Sequence, residues 1–91
     1  MIQTHSLKNL ALSDTGFIFD PYSGKTFTAN EVGIKVILGL KNGEELPQIQ
    51  EKILLEYEIT PDQLERDLSD FLIQLKEQGL IQWHSTLQLQ V

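Results

Sequence analysis

The residues able to do chemistry are few and poorly placed for it. Gly24, Lys25 and Thr26 match the end of a phosphate-binding loop. The first glycine of such a loop would fall at Phe19, however, and no strand, loop and helix surround the triplet in the order that grips a phosphate. His5 and His84 have no cysteine to join and no second histidine at helical spacing, so neither suggests a metal ligand. Asp62, Glu65, Asp67, Asp70 and Glu77 crowd one stretch, but none has a partner that would shift its pKa toward acid–base work. No catalytic residue, metal or cofactor is therefore expected. What remains is recognition without catalysis, and for a chain of this composition and charge a protein or peptide partner fits best.

Any recognition surface needs a rigid frame, and residues 60–81 supply its clearest part. Thr60, Pro61 and Gln63 provide an N-cap hydroxyl, a first-turn proline and the glutamine of a capping box. Leu64, Leu68, Phe71, Leu72 and Leu75 then recur on one face of a 3.6-residue period, which predicts burial of all five. Gly79 stands at the left-handed C′ position, with Leu80 placed to touch Leu75 as in a Schellman ending. Along one flank of the apolar face lie Asp67, Phe71, Gln74 and Gln78, and along the other Leu72 and Lys76. Helical spacing alone does not single out either flank.

Ahead of this helix the pattern predicts two more. The first starts at residue 29 or 31, capped by Thr28 with Glu31 or by Asn30, and ends at Lys41, Asn42 and Gly43. It carries Val32, Val36, Ile37 and Leu40 on one face and Ile34 and Leu38 on the other, so it should be central. The second opens at Leu46 and Pro47 and carries Ile49, Ile53, Leu54 and Tyr57. Three short strands precede the helices. Residues 7–12 are apolar at 7, 10 and 12, and residues 17–19 are Phe-Ile-Phe; residues 25–28 fold back across a turn of Asp20, Pro21, Tyr22, Ser23 and Gly24. Residues 1–6 are polar and patternless and are expected to be a loose terminus.

The chain of 91 residues, 41% hydrophobic and 22% charged, has the composition of one small globular domain. The expected division is a core of about residues 7–82 and a tail of residues 83–91. The chain has no cysteine and no apolar run of the roughly 20 residues that span a bilayer. With no secretory signal pattern either, a cytoplasmic setting without a membrane partner is expected. A net charge of −6 argues against a nucleic-acid partner, which needs clustered lysine and arginine.

Strands then helices make an α+β, winged-helix-like module, and the ordered residues support a family. A turn-bounded hairpin ending near Asn30 comes first, then a helix closing in Asn42 and Gly43. Tyr57 follows, and after it Asp67, Phe71, Leu72, Leu75, Gly79, Leu80 and Ile81. This succession resembles the PqqD family, also known as the RiPP recognition element. The likeness covers residues 7–82. It departs from the family at Ala29, where a leucine is common, and in the tail.

What the resemblance implies is a peptide-binding chaperone without catalysis. It would hold the leader of a ribosomally made precursor peptide and present it to a modifying enzyme, often a radical S-adenosylmethionine enzyme. The leader would add as a strand along Lys25, Thr26, Phe27 and Thr28, beside Asp67, Phe71, Gln74 and Gln78 of the third helix. Lys25 would both steer a leader and blunt the free edge against aggregation.

Two other functions compete with this reading. One is a generic protein-interaction or dimerisation module. The other is a winged-helix DNA-binding regulator, whose recognition helix would have to be the third. Between Pro61 and Gly79 that helix sets Asp62, Glu65, Asp67, Asp70 and Glu77 against only Arg66 and Lys76, which opposes DNA. The tail alternates Trp83, Ser85, Leu87, Leu89 and Val91 with polar residues, a period of two that predicts an extra C-terminal strand. Such a strand is expected to compete for the leader edge, within its own chain or, in a homodimer, on a second copy.

Overall fold

The computed structural model of the chain describes residues 2–3 and 5–83. Its elements are β1 (Ile2–Gln3), a 3-10 helix (His5–Asn9), β2 (Ala11–Leu12), β3 (Phe17–Phe19), β4 (Thr26–Thr28), α1 (Glu31–Lys41), α2 (Leu46–Glu56), α3 (Pro61–Glu77) and β5 (Gln82–Trp83). The antiparallel sheet β2-β3-β4 precedes the three helices, so the α+β, winged-helix-like arrangement expected from the sequence is the one observed.

Residues 7–12 do not form one strand. Leu7 and Leu10 are three apart, the repeat of a 3-10 helix rather than of a strand, and both are buried as the chain turns. Only Ala11 and Leu12 go on to pair, opposite Phe19 and Ile18. Residues 1–6 are likewise not wholly loose, because Ile2 and Gln3 pair with Trp83 and Gln82. The predicted tail strand therefore begins as β5, but its first residues pair with β1 and not with β4. Residues 84–91, the rest of that prediction, lie outside the described residues.

The core lies where the helices meet the inner face of the sheet. Ile18 is the sheet's fully buried contribution, facing Val36, Ile37 and Leu40 of α1, Ile49 and Ile53 of α2, and Leu64, Leu68, Leu72 and Leu75 of α3. On the outer face Phe17 and Phe19 stay 52% and 44% exposed, because strand side chains alternate. Between α1 and α2, Lys35 and Glu56 form an ion pair at 2.8 Å, and this bond holds the Lys35 ammonium above its usual pKa.

Each helix end has a chemical cause. Asn30 caps α1, its Oδ1 accepting from the Gly33 N–H at 2.8 Å, which decides between the two caps that the sequence allowed. The α3 N-terminus differs from its predicted box. The Thr60 hydroxyl accepts from the Gln63 N–H, but the Gln63 side chain donates to Asp67 at 2.9 Å instead of reaching back. A glutamine reaches back instead at α2, where the Gln48 side chain accepts from the Glu45 N–H at 2.9 Å. α3 ends as predicted: the Leu80 N–H bonds the Leu75 carbonyl and the Gly79 N–H that of Lys76, with Gly79 at φ +76°. This is the Schellman pattern.

Asp20 organises the β3–β4 turn. Its carboxylate accepts from the Ser23 hydroxyl at 2.9 Å and the Tyr22 N–H at 3.0 Å, and its N–H donates to the Lys25 carbonyl at 2.9 Å. These bonds, the Ser23 hydroxyl foremost, hold the carboxyl below the usual carboxylate range. The ionised form thus favours the folded turn, a gain that is complete above the unfolded chain's carboxylate pKa and lost as pH falls through the lower folded value. The protection factors of the Gly24 and Lys25 amides, measured against the intrinsic exchange rate at each pH, are expected to fall over that acid interval in the wild type. In Asp20→Asn they should be lower already at neutral pH and lack the acid step.

Candidate functional site

The sheet has an open edge at β4. The Ala29 N–H donates to the Gly16 carbonyl and the Asp20 N–H to the Lys25 carbonyl, each at 2.9 Å, and Phe27 stands opposite Ile18 between them. Hydrogen-bonded and non-hydrogen-bonded pairs alternate along an antiparallel ladder. Phe27 is therefore tied inward to β3, while Thr26 and Thr28 turn their N–H and C=O groups outward. Among the described residues no strand lies on that side of β4.

Beside this edge runs a groove walled by α3 and floored by the start of α1. It holds two adjoining cavities, of about 420 Å³ and 180 Å³, with Thr28, Phe71 and Gln74 lining both. The larger runs toward Val32, Val36 and Ile59 and is rimmed by Asp67 and Asp70. The smaller runs toward Phe27, Glu77 and Gln78.

The flank of α3 left open by the sequence is thereby settled. Asp67, Phe71, Gln74 and Gln78 face β4 across the groove, and Leu72 turns into the core at 2% exposure. Six of the eight predicted site residues, Phe27, Thr28, Asp67, Phe71, Gln74 and Gln78, line these cavities. Lys25 and Thr26 do not. Lys25 is an exposed turn residue just before β4, and Thr26 contributes its backbone edge. Phe71 departs from its expected full burial, since it is only partly covered and packs against the core from the groove side.

The sequence reading missed Asp70, Ile59 and Gly33. Asp70 sits three residues after Asp67 and four before Gln74, so helical spacing alone could have placed it on this flank. Gly33 had no such signal. A Cβ there would lie 3.1 Å from the Ala29 Cβ and 3.2 Å from the Phe71 ring, so the bare backbone is what lets Phe71 lie across the floor of the groove. In Gly33→Ala the ring should swing outward. Stability should change by less than the roughly 1 kcal/mol that separates glycine from alanine in mid-helix, whereas the larger cavity shrinks. Paired urea melts and calorimetric peptide titrations would show stability nearly unchanged with binding weakened.

Chemically this is a recognition surface. Outward backbone groups offer ladder bonds to an extended chain, and the cavities can receive its alternate side chains. Among the described residues no group of three or more His, Asp or Glu side chains is placed to hold a metal ion, and no helix is long and apolar enough to cross a membrane.

Comparison with known proteins matches residues 15–81 to the family of coenzyme PQQ synthesis protein D, PqqD. Two solved structures share the fold. TbiB1 in complex with the TbiA(beta) leader peptide is 27% identical with a TM-score of 0.72, over 84% of this chain and 90% of that one. A lasso peptide synthetase B1 complexed with the leader peptide is 25% identical with a TM-score of 0.69, over 81% and 88%. No curated protein matches the chain by sequence.

Proposed function

Because the chain belongs to the PqqD family, we propose that it is a leader-peptide recognition module: it binds the leader of a ribosomally synthesised precursor by strand addition at β4 and presents it to a modifying enzyme. The observation that carries this reading is the outward-facing backbone of Thr26 and Thr28 beside a groove with an apolar floor. Two similar proteins, each at least 25% identical, have been solved holding leader peptides. The peptide's backbone would pair with the edge, and its alternate side chains would enter the cavities lined by Phe27, Thr28, Asp67, Phe71, Gln74 and Gln78. Lys25 would lie at the turn end of the added strand.

In this reading the chain has no catalytic step of its own and acts in the cytoplasm, where precursor and enzyme meet. A radical S-adenosylmethionine enzyme, as the family resemblance implies, is one form that partner could take. The acidic α3 opposes the alternative of DNA in a major groove, since Asp67, Asp70 and Glu77 line the helix face that the groove exposes. The test is three titrations: the two halves of a precursor cut between leader and core, and duplex DNA. The leader half should bind, while the core half and duplex DNA should not. Binding of DNA, or of the core alone, would overturn the proposal.

A further inference from the structure

Every charged residue lining the two cavities is acidic: Asp67 and Asp70 at the larger, Glu77 at the smaller. The ion pairs among the described residues, Lys35 with Glu56 and Lys52 with Glu44, belong to α1 and α2 and leave these three carboxylates unmatched. Asp67 spends one oxygen on the Gln63 amide, and Lys76 and Arg66 of the same helix line neither cavity. The floor between the carboxylates is apolar, with Val32, Val36 and Phe71 in the larger cavity.

We infer that the groove selects leader segments carrying lysine or arginine on the side chains that point into it. This rests on the leader-binding reading above and names the chemistry of the ligand. A long basic side chain fits both halves of the site. Its aliphatic stem covers apolar surface while its head stays at the wet rim, and the Phe71 ring adds a favourable face for the cation. The head would meet Asp67 and Asp70. From Asp70 to Glu77 the helix rises roughly 10 Å, or about three residues of extended peptide. Since groove-facing side chains recur at every second position, two basic residues two or four positions apart could engage both ends. The net charge of −6 acts in the same direction, attracting basic leaders and repelling acidic ones.

The test is selection of a random peptide library displayed on phage against the immobilised full chain, with Thr28→Pro as a parallel target. Synthetic copies of the winners are then titrated into wild type and into Asp67→Asn/Asp70→Asn, with circular dichroism to verify folding. Expected are peptides that need the β4 edge and are enriched in lysine or arginine. Their affinity should drop about fivefold or more in the double variant, as for one or two partly exposed ion pairs, and the gap should close in high salt. Edge-dependent winners without basic enrichment, or equal affinity for the double variant, would overturn this inference and leave leader binding standing. Winners indifferent to Thr28→Pro, or no winners at all, would overturn both.

Discussion

Replacing Thr28 with proline is expected to cost a cognate leader about tenfold to a hundredfold in affinity, because a lost ladder donor leaves a peptide carbonyl desolvated without a partner. The ladder parity at β4 makes this a selective change. The Thr28 N–H points away from β3, so its removal breaks no bond of the folded sheet, and an edge strand tolerates proline on its open side. Thr26→Pro should act the same way, since residues two apart in a strand point the same way. Phe27→Pro is the contrast: its N–H is tied to β3, so that variant should lose the hairpin itself. Circular dichroism sorts the folded variants from the unfolded, and calorimetry measures the affinity. Unaltered binding by both threonine variants, with native spectra, would mean that no strand adds at this edge.

The second large effect is on stability. Leu72→Ala should cost about 2 to 5 kcal/mol, the range for emptying a closed core site. That is a large share of the roughly 5 to 14 kcal/mol expected for a chain of this length. Phe71→Ala would approach the top of that range only if the ring were fully buried. The ring is instead partly covered, so its removal opens space to the groove and should cost less. Ile73, 44% exposed, should cost least. Urea melts are therefore expected to rank Leu72 above Phe71 above Ile73, while peptide titrations put Phe71 first. If Phe71→Ala proves the most destabilising and still binds a leader normally, the ring is a core residue and not part of the recognition surface.

Much of this was legible where the forces are local. The ends of α3 follow from Thr60, Pro61 and Gly79, and its buried leucines from helical spacing, because caps and periodicity are set within a few residues. The α1 cap was a choice between two nearby side chains, and Asn30 won by bonding the Gly33 amide. Reading failed where partners are distant. Nothing in Ile2 and Gln3 announces a strand whose mate lies at Gln82 and Trp83, and two residues are too few to show a period. Residues 7–12 misled because an apolar residue every third position also suits a 3-10 helix. Which flank of α3 would face β4 was beyond the helix's own pattern, since packing of the whole chain decides it. Gly33 shows the same limit: its role is visible only once Phe71 lies against it.

The pairing of β1 with β5 bears on how the protein acquires its shape. Ile2 meets Trp83 and Gln3 meets Gln82 across nearly the entire described chain, so this ribbon closes the longest loop among the described residues, and the entropy of closure rises with the logarithm of loop length. Two residues on each side return little against that penalty until α3 and its Schellman turn have already carried Gln82 into place. The clasp between the ends should consequently form after the transition state for folding. Weakening it would leave the folding rate nearly untouched and appear almost wholly as faster unfolding, which makes this small ribbon a setting for the lifetime of the native state rather than for the speed of reaching it.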